Sequence, residues 1–396
     1  MSRSRFPLLV SACTALLLGG LASPAGADEP VPLGVIRGAS SPQAIDNSYI
    51  VVLKDNAPSA RGGEARSLAG KFGGSVRRTF ATALNGFTLT ATAAEARRIA
   101  ADPSVAYVEQ NRVEYADATQ YSATWGLDRI DQRTRPLSGS YSYSTTASNV
   151  TAYIVDSGIR ATHSDFGGRA SYGYDFVDGD TVASDCNGHG THTAGTVGSA
   201  TYGVAKGARL VGVRVLNCSG SGTTANVIAG YDWVAANAKL PAVANVSIGG
   251  SASDAKDAAV AGMVDAGVTV AVSAGNDTTD ACDQSPAREP SVITVASTTS
   301  TDARSSFSNY GTCVDIFAPG SSITSLGYSS DTTTAVKSGT SMATPHVAGA
   351  AALYLATHPT ASPATVTAAI KSAATSGAVT SPGTGSPNLL LYTTGL

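Results

Sequence analysis

From Trp125 onward, short runs of consecutive apolar residues recur along the chain. NVTAYIVD, ARLVGVRVL, AVANVSIGG, GVTVAVSAGN, SVITVAS and VDIFAPG are apolar on successive rather than alternate positions, the mark of strands buried on both faces. Between several of them lie segments with helical spacing, such as TANVIAGYDWVAANA and ASDAKDAAVAGMVDAG. Strands separated by helices predict an α/β unit, a mainly parallel sheet with helices on both faces. The alanine-rich HVAGAAALYLATHP reads as a further, buried helix. Residues 48–112 follow another grammar. SYIVVLKD, ALNGFTLTA and VAYVEQN read as strands, EARSLAGKFG and AAEARRIAADP as helices. Asn85-Gly86, a strong turn dipeptide, places a hairpin within FATALNGFTL. That βαββαβ order predicts a small α+β split βαβ sandwich, and RVEYADATQYSAT reads as the boundary after it.

The ends and the composition narrow the setting. Two arginines, an apolar run from Phe6 to Leu21 and the small-residue motif Ala25-Gly26-Ala27 have the layout of a secretory signal peptide. Three segments are expected: a signal over 1–27, a small domain over 28–115 with its core at 48–112, and the larger α/β domain over 116–396. No later stretch is long and apolar enough to cross a bilayer, so an exported, soluble protein is expected, without a membrane partner. Once Cys13 leaves with the signal, Cys186, Cys218, Cys282 and Cys313 remain. An even number in an exported chain favours disulfides. Three connectivities are open; Cys186–Cys218 and Cys282–Cys313 are preferred because each closes a local loop, worth about 3–4 kcal/mol on chain entropy. Net charge is −3, and after residue 116 every acid except Glu289 is aspartate. No basic cluster exists to meet phosphates, so nucleic acid is not expected as a partner. An Asp-rich exported surface does allow calcium.

In open parallel sheets the working groups lie beyond the carboxyl ends of the strands. Asp156 closes the strand YIVD. His189, between two glycines in DCNGHGTHTAG, precedes a helical segment. Asn276 follows the strand tip of TVAVSAGN, and Ser341 stands where the turn SGTSMA becomes the alanine-rich helix. Singly, each suits a turn or a cap. Together they fill four roles. A serine hydroxyl needs a base, which a neutral histidine supplies; the histidine needs a carboxylate to fix its tautomer; an amide side chain and a helix N-terminus can hold an oxyanion.

VDSGI, NGHGTHTAGTVG, SAGN and SGTSMATPHVAG resemble the subtilisin-like serine proteases, whose Asp…His…Ser order they share. WGLDRI, TYGVAKGARLVGVRVL, NVSIGGS, SPAREPSVITVAS and RSSFSNYGTCVDIFAPG are similar to segments of the proteinase K group, with cysteines placed as in its aqualysin-type members. Thr193 departs from proteinase K, which has a cysteine there. The resemblance implies a subtilisin-like fold and a secreted serine endopeptidase of broad specificity, cutting after large apolar or aromatic residues. Asp156, His189 and Ser341 would be the triad and Asn276 the oxyanion donor. Gly220-Ser221-Gly222 and Ser247-Ile248-Gly249 would be extended edges holding the substrate as an added strand, and Ser273-Ala274-Gly275 would line the S1 pocket. Thr224 falls where proteinase K lines its S4 pocket with tyrosine. Structural calcium would be held by the carbonyls of Pro290 and Val292 with Asp315, and at a second site by Asp128 and Asp131. Residues 48–115 resemble an I9-type inhibitory propeptide, which implies a monomeric zymogen that cuts itself near Tyr115–Ala116. Its partners would be protein and peptide substrates and its own propeptide, as inhibitor and folding aid.

Other readings compete. His189 and His192 form a His-x-x-His pair, but HGTH lacks the glutamate of a zinc protease helix. His346 lies five residues along the helix from Ser341 and turns to another face, suiting a helix contact. An α/β-hydrolase esterase needs an acid after its serine, and none follows Ser341. A binding protein on an inactive protease scaffold would have lost one of the four candidate positions; none is lost.

Overall fold

The computed structural model describes residues 33–39, 44–112 and 118–396. The signal-peptide segment and the expected processing point at Tyr115–Ala116 lie outside them. The chain folds as two compact units, up to Val113 and from Glu114 on.

The larger unit is built on seven parallel strands, β1 (Thr151–Asp156), β2 (Ala170–Asp175), β3 (Arg209–Arg214), β4 (Ala242–Val246), β5 (Thr269–Ser273), β6 (Ile293–Thr298) and β7 (Ile316–Pro319). Their order across the sheet is β2-β3-β1-β4-β5-β6-β7, continued beyond β7 by Leu389–Leu390 and Thr375–Ser376. Every residue of β1, β4, β5, β6 and β7 is buried, which is why these strands lack alternation. The alternation reappears in what each side chain meets. Ala152 and Ile154 of β1 join one core cluster with Ala194 of helix α1 (His189–Gly198) and Val347 of helix α4 (Thr340–Thr357). Tyr153 and Val155 join another with Val227, Tyr231 and Val234 of α2 (Thr224–Asn237) and Val260 and Met263 of α3 (Asp254–Asp265). Helices therefore cover both faces. Helix α5 (Pro363–Ala373) adds Val366 and Ile370 to the first cluster, entered through Ser362 as N-cap and a proline at its first position. From β1 the chain builds β2 and β3 on one side and then crosses to β4 on the other. A crevice opens at that switch, beyond the carboxyl end of β1.

Cys186 is bonded to Cys218 and Cys282 to Cys313. Among the remaining histidines, His346 sets Nδ1 against the Met342 carbonyl at 2.9 Å, one turn back in α4. His192 sets Nε2 against the Ile323 carbonyl at 3.0 Å and leaves Nδ1 buried without a partner. Burial pushes both imidazoles down to about 4. An unfolded chain, with histidines near 6.5, then binds protons that the folded one refuses. The stabilisation is whole above pH 6.5 and is lost as pH falls towards 4, about 3 kcal/mol for each ring. Denaturant unfolding in that window should therefore be shallower in pH for His346→Gln by about 1.4 kcal/mol per unit. A slope equal to that of the parent would contradict a neutral buried His346.

The smaller unit is a five-stranded sheet in the order Ile36–Arg37, Val105–Arg112, Ala44–Leu53, Gly86–Thr90, Ser75–Phe80, with helices at Glu64–Phe72 and Ala93–Ala100. Ser75–Phe80 and Gly86–Thr90 form a hairpin, but Gly86 already pairs with Phe80, so residues 81–85 make the connection and Asn85-Gly86 is not itself the turn. The strand at Ile36–Arg37 lies ahead of the expected order and pairs in parallel with Val108 and Glu109. A reciprocal cap sets the second helix: Thr92 N–H donates to Glu95 at 2.7 Å and Glu95 N–H to the Thr92 hydroxyl at 3.3 Å. Val51, Phe87, Leu89, Ile99 and Val108 fill the core.

Candidate active site

Asp156 ends β1 fully buried at the crevice. His189 opens α1, and its Nδ1 donates to the Asp156 carboxylate at 2.7 and 2.9 Å. The flanking glycines serve this approach. Gly188 sits at φ +92°, and a Cβ on Gly190 would strike the carbonyl oxygen of Gly158. Burial pulls the His189 pKa down, but the charge of Asp156 and its hydrogen bond outweigh that and leave it above the ordinary 6.5.

Asp185, which the sequence reading passed over, ties the two together. Its Oδ1 accepts from Ser157 Oγ at 2.9 Å and Gly188 N at 2.8 Å, its Oδ2 from Thr191 N at 2.9 Å. One carboxylate thus caps α1 and grips the residue after Asp156. An aspartate just ahead of a helix start was the available signal. Thr193 brings its hydroxyl to 3.5 Å from Asp156 Oδ2 while donating to the Gly190 carbonyl at 3.1 Å.

Ser341 is the second residue of α4. Pro345 lacks an N–H, so the Ser341 carbonyl has no partner one turn on; Ser247 Oγ supplies it at 2.9 Å. In return Ser341 Oγ donates to the Ser247 carbonyl at 3.0 Å. The Ser341 N–H lies in the first helical turn, where no intrahelical acceptor exists. Asn276 is exposed, and its Oδ1 is fixed by Thr340 N at 2.8 Å and Thr340 Oγ1 at 3.0 Å. Anchoring the oxygen leaves the amide N–H₂ as the free end.

His189 and Ser341 line one cleft of 740 Å³ together with Gly220, Ser221, Gly222, Thr224, Ser247, Ile248 and Gly249. One expectation needs correction. Gly220 is not extended: it takes φ +76° in a turn drawn together by Asn217 Oδ1, which accepts from Ser219 N and Ser221 N. Ser273, Ala274 and Gly275 are buried and are not among the residues lining the cleft.

The two calcium candidates differ. Asp315 has both oxygens engaged, Oδ1 by Lys371 Nζ at 2.7 Å and Oδ2 by Thr294 N at 3.0 Å. An ammonium already supplies the positive charge, so Asp315 with Pro290 and Val292 does not fit a cation in this arrangement. At the other candidate, Asp128 is buried and accepts from Ser138 N at 3.0 Å and from Gly139 N at 2.6 Å. Asp131 gives one oxygen to Ser142 N at 2.7 Å and holds Oδ1 buried without a partner. A free buried carboxylate oxygen suits a hard cation.

A strand-end aspartate on a histidine, with a helix-start serine in the same cleft, is compatible with a serine hydrolase, with Ser341 Oγ bonded here to Ser247 and not to His189. Comparison with known proteins gives the particulars. Residues 147–388 match the subtilase family, Peptidase S8, and residues 48–116 match Peptidase inhibitor I9. The chain is 50% identical over 405 residues to "Extracellular serine proteinase" of Thermus sp. (strain Rt41A), covering 98% of this chain and 97% of that one. It is 53% identical over 332 residues to "Alkaline serine exoprotease A" of Vibrio alginolyticus, covering 82% of this chain and 62% of that one. A crystal structure of a cold-adapted subtilisin-like serine proteinase superposes with TM-score 0.67 at 56% identity, covering 69% of this chain and 98% of that one. The chain belongs to the subtilase family, a secreted serine protease with an I9 propeptide. Among the described residues no helix is long and apolar enough to cross a membrane.

Proposed function

We propose that the protein is an endopeptidase of broad specificity that cuts after large apolar or aromatic residues, through an acyl-enzyme on Ser341. The observation that carries this reading is the bidentate approach of His189 Nδ1 to buried Asp156 in the cleft that Ser341 also lines. With Nδ1–H held by the carboxylate, the neutral ring presents Nε2 as its base. Ser341 Oγ would leave the Ser247 carbonyl, give its proton to His189 and attack the peptide carbonyl carbon. Asn276 Nδ2 and the Ser341 N–H would take the oxyanion. His189 would return the proton to the departing amine, and water would repeat the sequence on the ester. The edges at Ser221-Gly222 and Ser247-Ile248-Gly249 would pair with the peptide backbone on either side. Residues 28–115 would act as intramolecular inhibitor and folding aid until self-cleavage near Tyr115–Ala116, after a signal over 1–27 has directed export. Chromogenic tetrapeptides differing only before the leaving group test the specificity. Phe or Leu there should be cleaved well above Asp or Gly, and a serine-directed covalent inhibitor should add its mass to Ser341. A mature protein that neither cleaves nor is labelled would instead be a binding module on a protease scaffold.

Calcium belongs to this proposal as a structural ion at Asp128 and Asp131, not at Asp315. Calorimetric titration of the Ser341→Ala chain with calcium should lose its heat in Asp131→Asn and keep it in Asp315→Asn. The opposite pattern would place the ion at Asp315.

A further inference from the structure

The far end of the cleft, beyond Ile248, holds a cation that packing does not require. Lys256 lines the cleft with Thr224, Leu216, Val227, Ala252 and Pro286, yet its side chain is buried, with the residue only 7% exposed. It occupies the first turn of α3, where Ser253 Oγ caps its N–H. A positive charge at a helix N-terminus is disfavoured by the dipole, and a buried ammonium costs more unless its donors are met. Among the described residues Nζ meets one acceptor, the neutral Ser285 carbonyl, at 3.1 Å. Of the adjacent carboxylates, Asp257 is bound by Arg288 through Oδ2 at 2.6 Å and keeps Oδ1 buried without a partner, and Asp254 also pairs with Arg288. Burial lowers the Lys256 pKa, Asp257 opposing and Arg288 assisting.

Tyr231 lines this cleft fully buried, its hydroxyl has no partner, and the charge of Asp257 reaches it. A Cβ placed on Gly250, in the cleft wall, would come within 3.5 Å of Lys256 Nζ, so the ammonium stands directly behind a surface that a substrate chain passes. Among the described residues no aspartate or glutamate lines the cleft.

We infer that Lys256 is a specificity-determining residue, and that the Thr224 end of the cleft selects a substrate side chain bearing a carboxylate, which the ammonium binds and the Tyr231 hydroxyl supplements. By the resemblance of Thr224 to an S4 position, that side chain belongs to the fourth residue before the scissile bond. The inference rests on the cleft being the substrate site.

Tetrapeptide substrates identical except for Glu, Gln or Leu at the fourth position test it in the mature enzyme. A charge-assisted hydrogen bond from a desolvated ammonium should favour Glu over Leu by about tenfold or more in kcat/KM. Lys256→Leu should reverse that order, and Lys256→Gln should bring Glu down to or below Gln. Leu cleaved as well as Glu by the parent, or a Glu preference that survives Lys256→Gln, overturns the inference and leaves the protease reading intact. Failure to cleave any of the three substrates would strike the protease reading itself.

Discussion

Replacing Ser341 by alanine should lower kcat on a peptide substrate by about 10⁶, the scale on which removing a triad nucleophile acts. The fold has little reason to respond. Ser341 Oγ donates only to the Ser247 carbonyl, and the bond that fixes Ser247 runs to the Ser341 backbone carbonyl, which alanine retains. The loss should not deepen when His189→Ala is added, because a base with no hydroxyl to deprotonate contributes nothing further. The same variant tests self-processing: expressed without other proteases, it should keep the prosegment attached, with its N-terminus ahead of Tyr115. Release of the prosegment would show that another protease does the cutting. Hydrolysis above about 1% of the parent would remove Ser341 from the chemistry, since a nucleophile's loss is felt over several decades.

The positions of the four candidate groups could be read in the sequence because topology fixes them. Asp156 ends one strand and Asn276 follows another, each with an apolar run that leaves no doubt where the sheet ends, and Ser341 follows a turn into an alanine-rich helix. Other parts were hidden for physical reasons. Lys256 sits in a helix that reads as amphipathic, and only packing shows that its stem dives beneath Gly250 instead of reaching solvent. Lys371 and Asp315 are far apart in sequence, so the ion pair that closes off a calcium candidate has no local pattern. The Gly220 turn depends on Asn217 folding its side chain back on its own loop, a competition that residue types alone do not decide. Pro345 is the instructive intermediate case. Its place one turn after Ser341 is plain in the sequence, and elementary helix geometry says which carbonyl it frees. That Ser247 would take the bond needs the sheet, because β4 delivers it there.

Asp156→Asn separates the electrostatic part of the site from its shape. In the parent, burial opposes the charged form of His189, while Asp156 more than compensates by charge and hydrogen bond. The neutral base is therefore complete only above the ordinary histidine range, and the acid limb of kcat/KM should lie above pH 6.5. An asparagine of the same shape removes the charge and leaves burial in command, so the limb should move down, below that of the parent. At pH 7 more His189 would be neutral, yet kcat should fall by about 10⁴, because the amide no longer enforces the tautomer or stabilises the imidazolium formed in the transition state. The two effects run in opposite senses, and a merely distorted cleft would produce the loss without the shift. A pH profile on one good substrate measures both, and an acid limb that stays in place in Asp156→Asn would mean that Asp156 does not set the basicity of His189. The charge of Asp185, which also favours the protonated ring, limits how far the limb can travel. The double variant Asp156→Asn/Asp185→Asn should therefore carry it lower still.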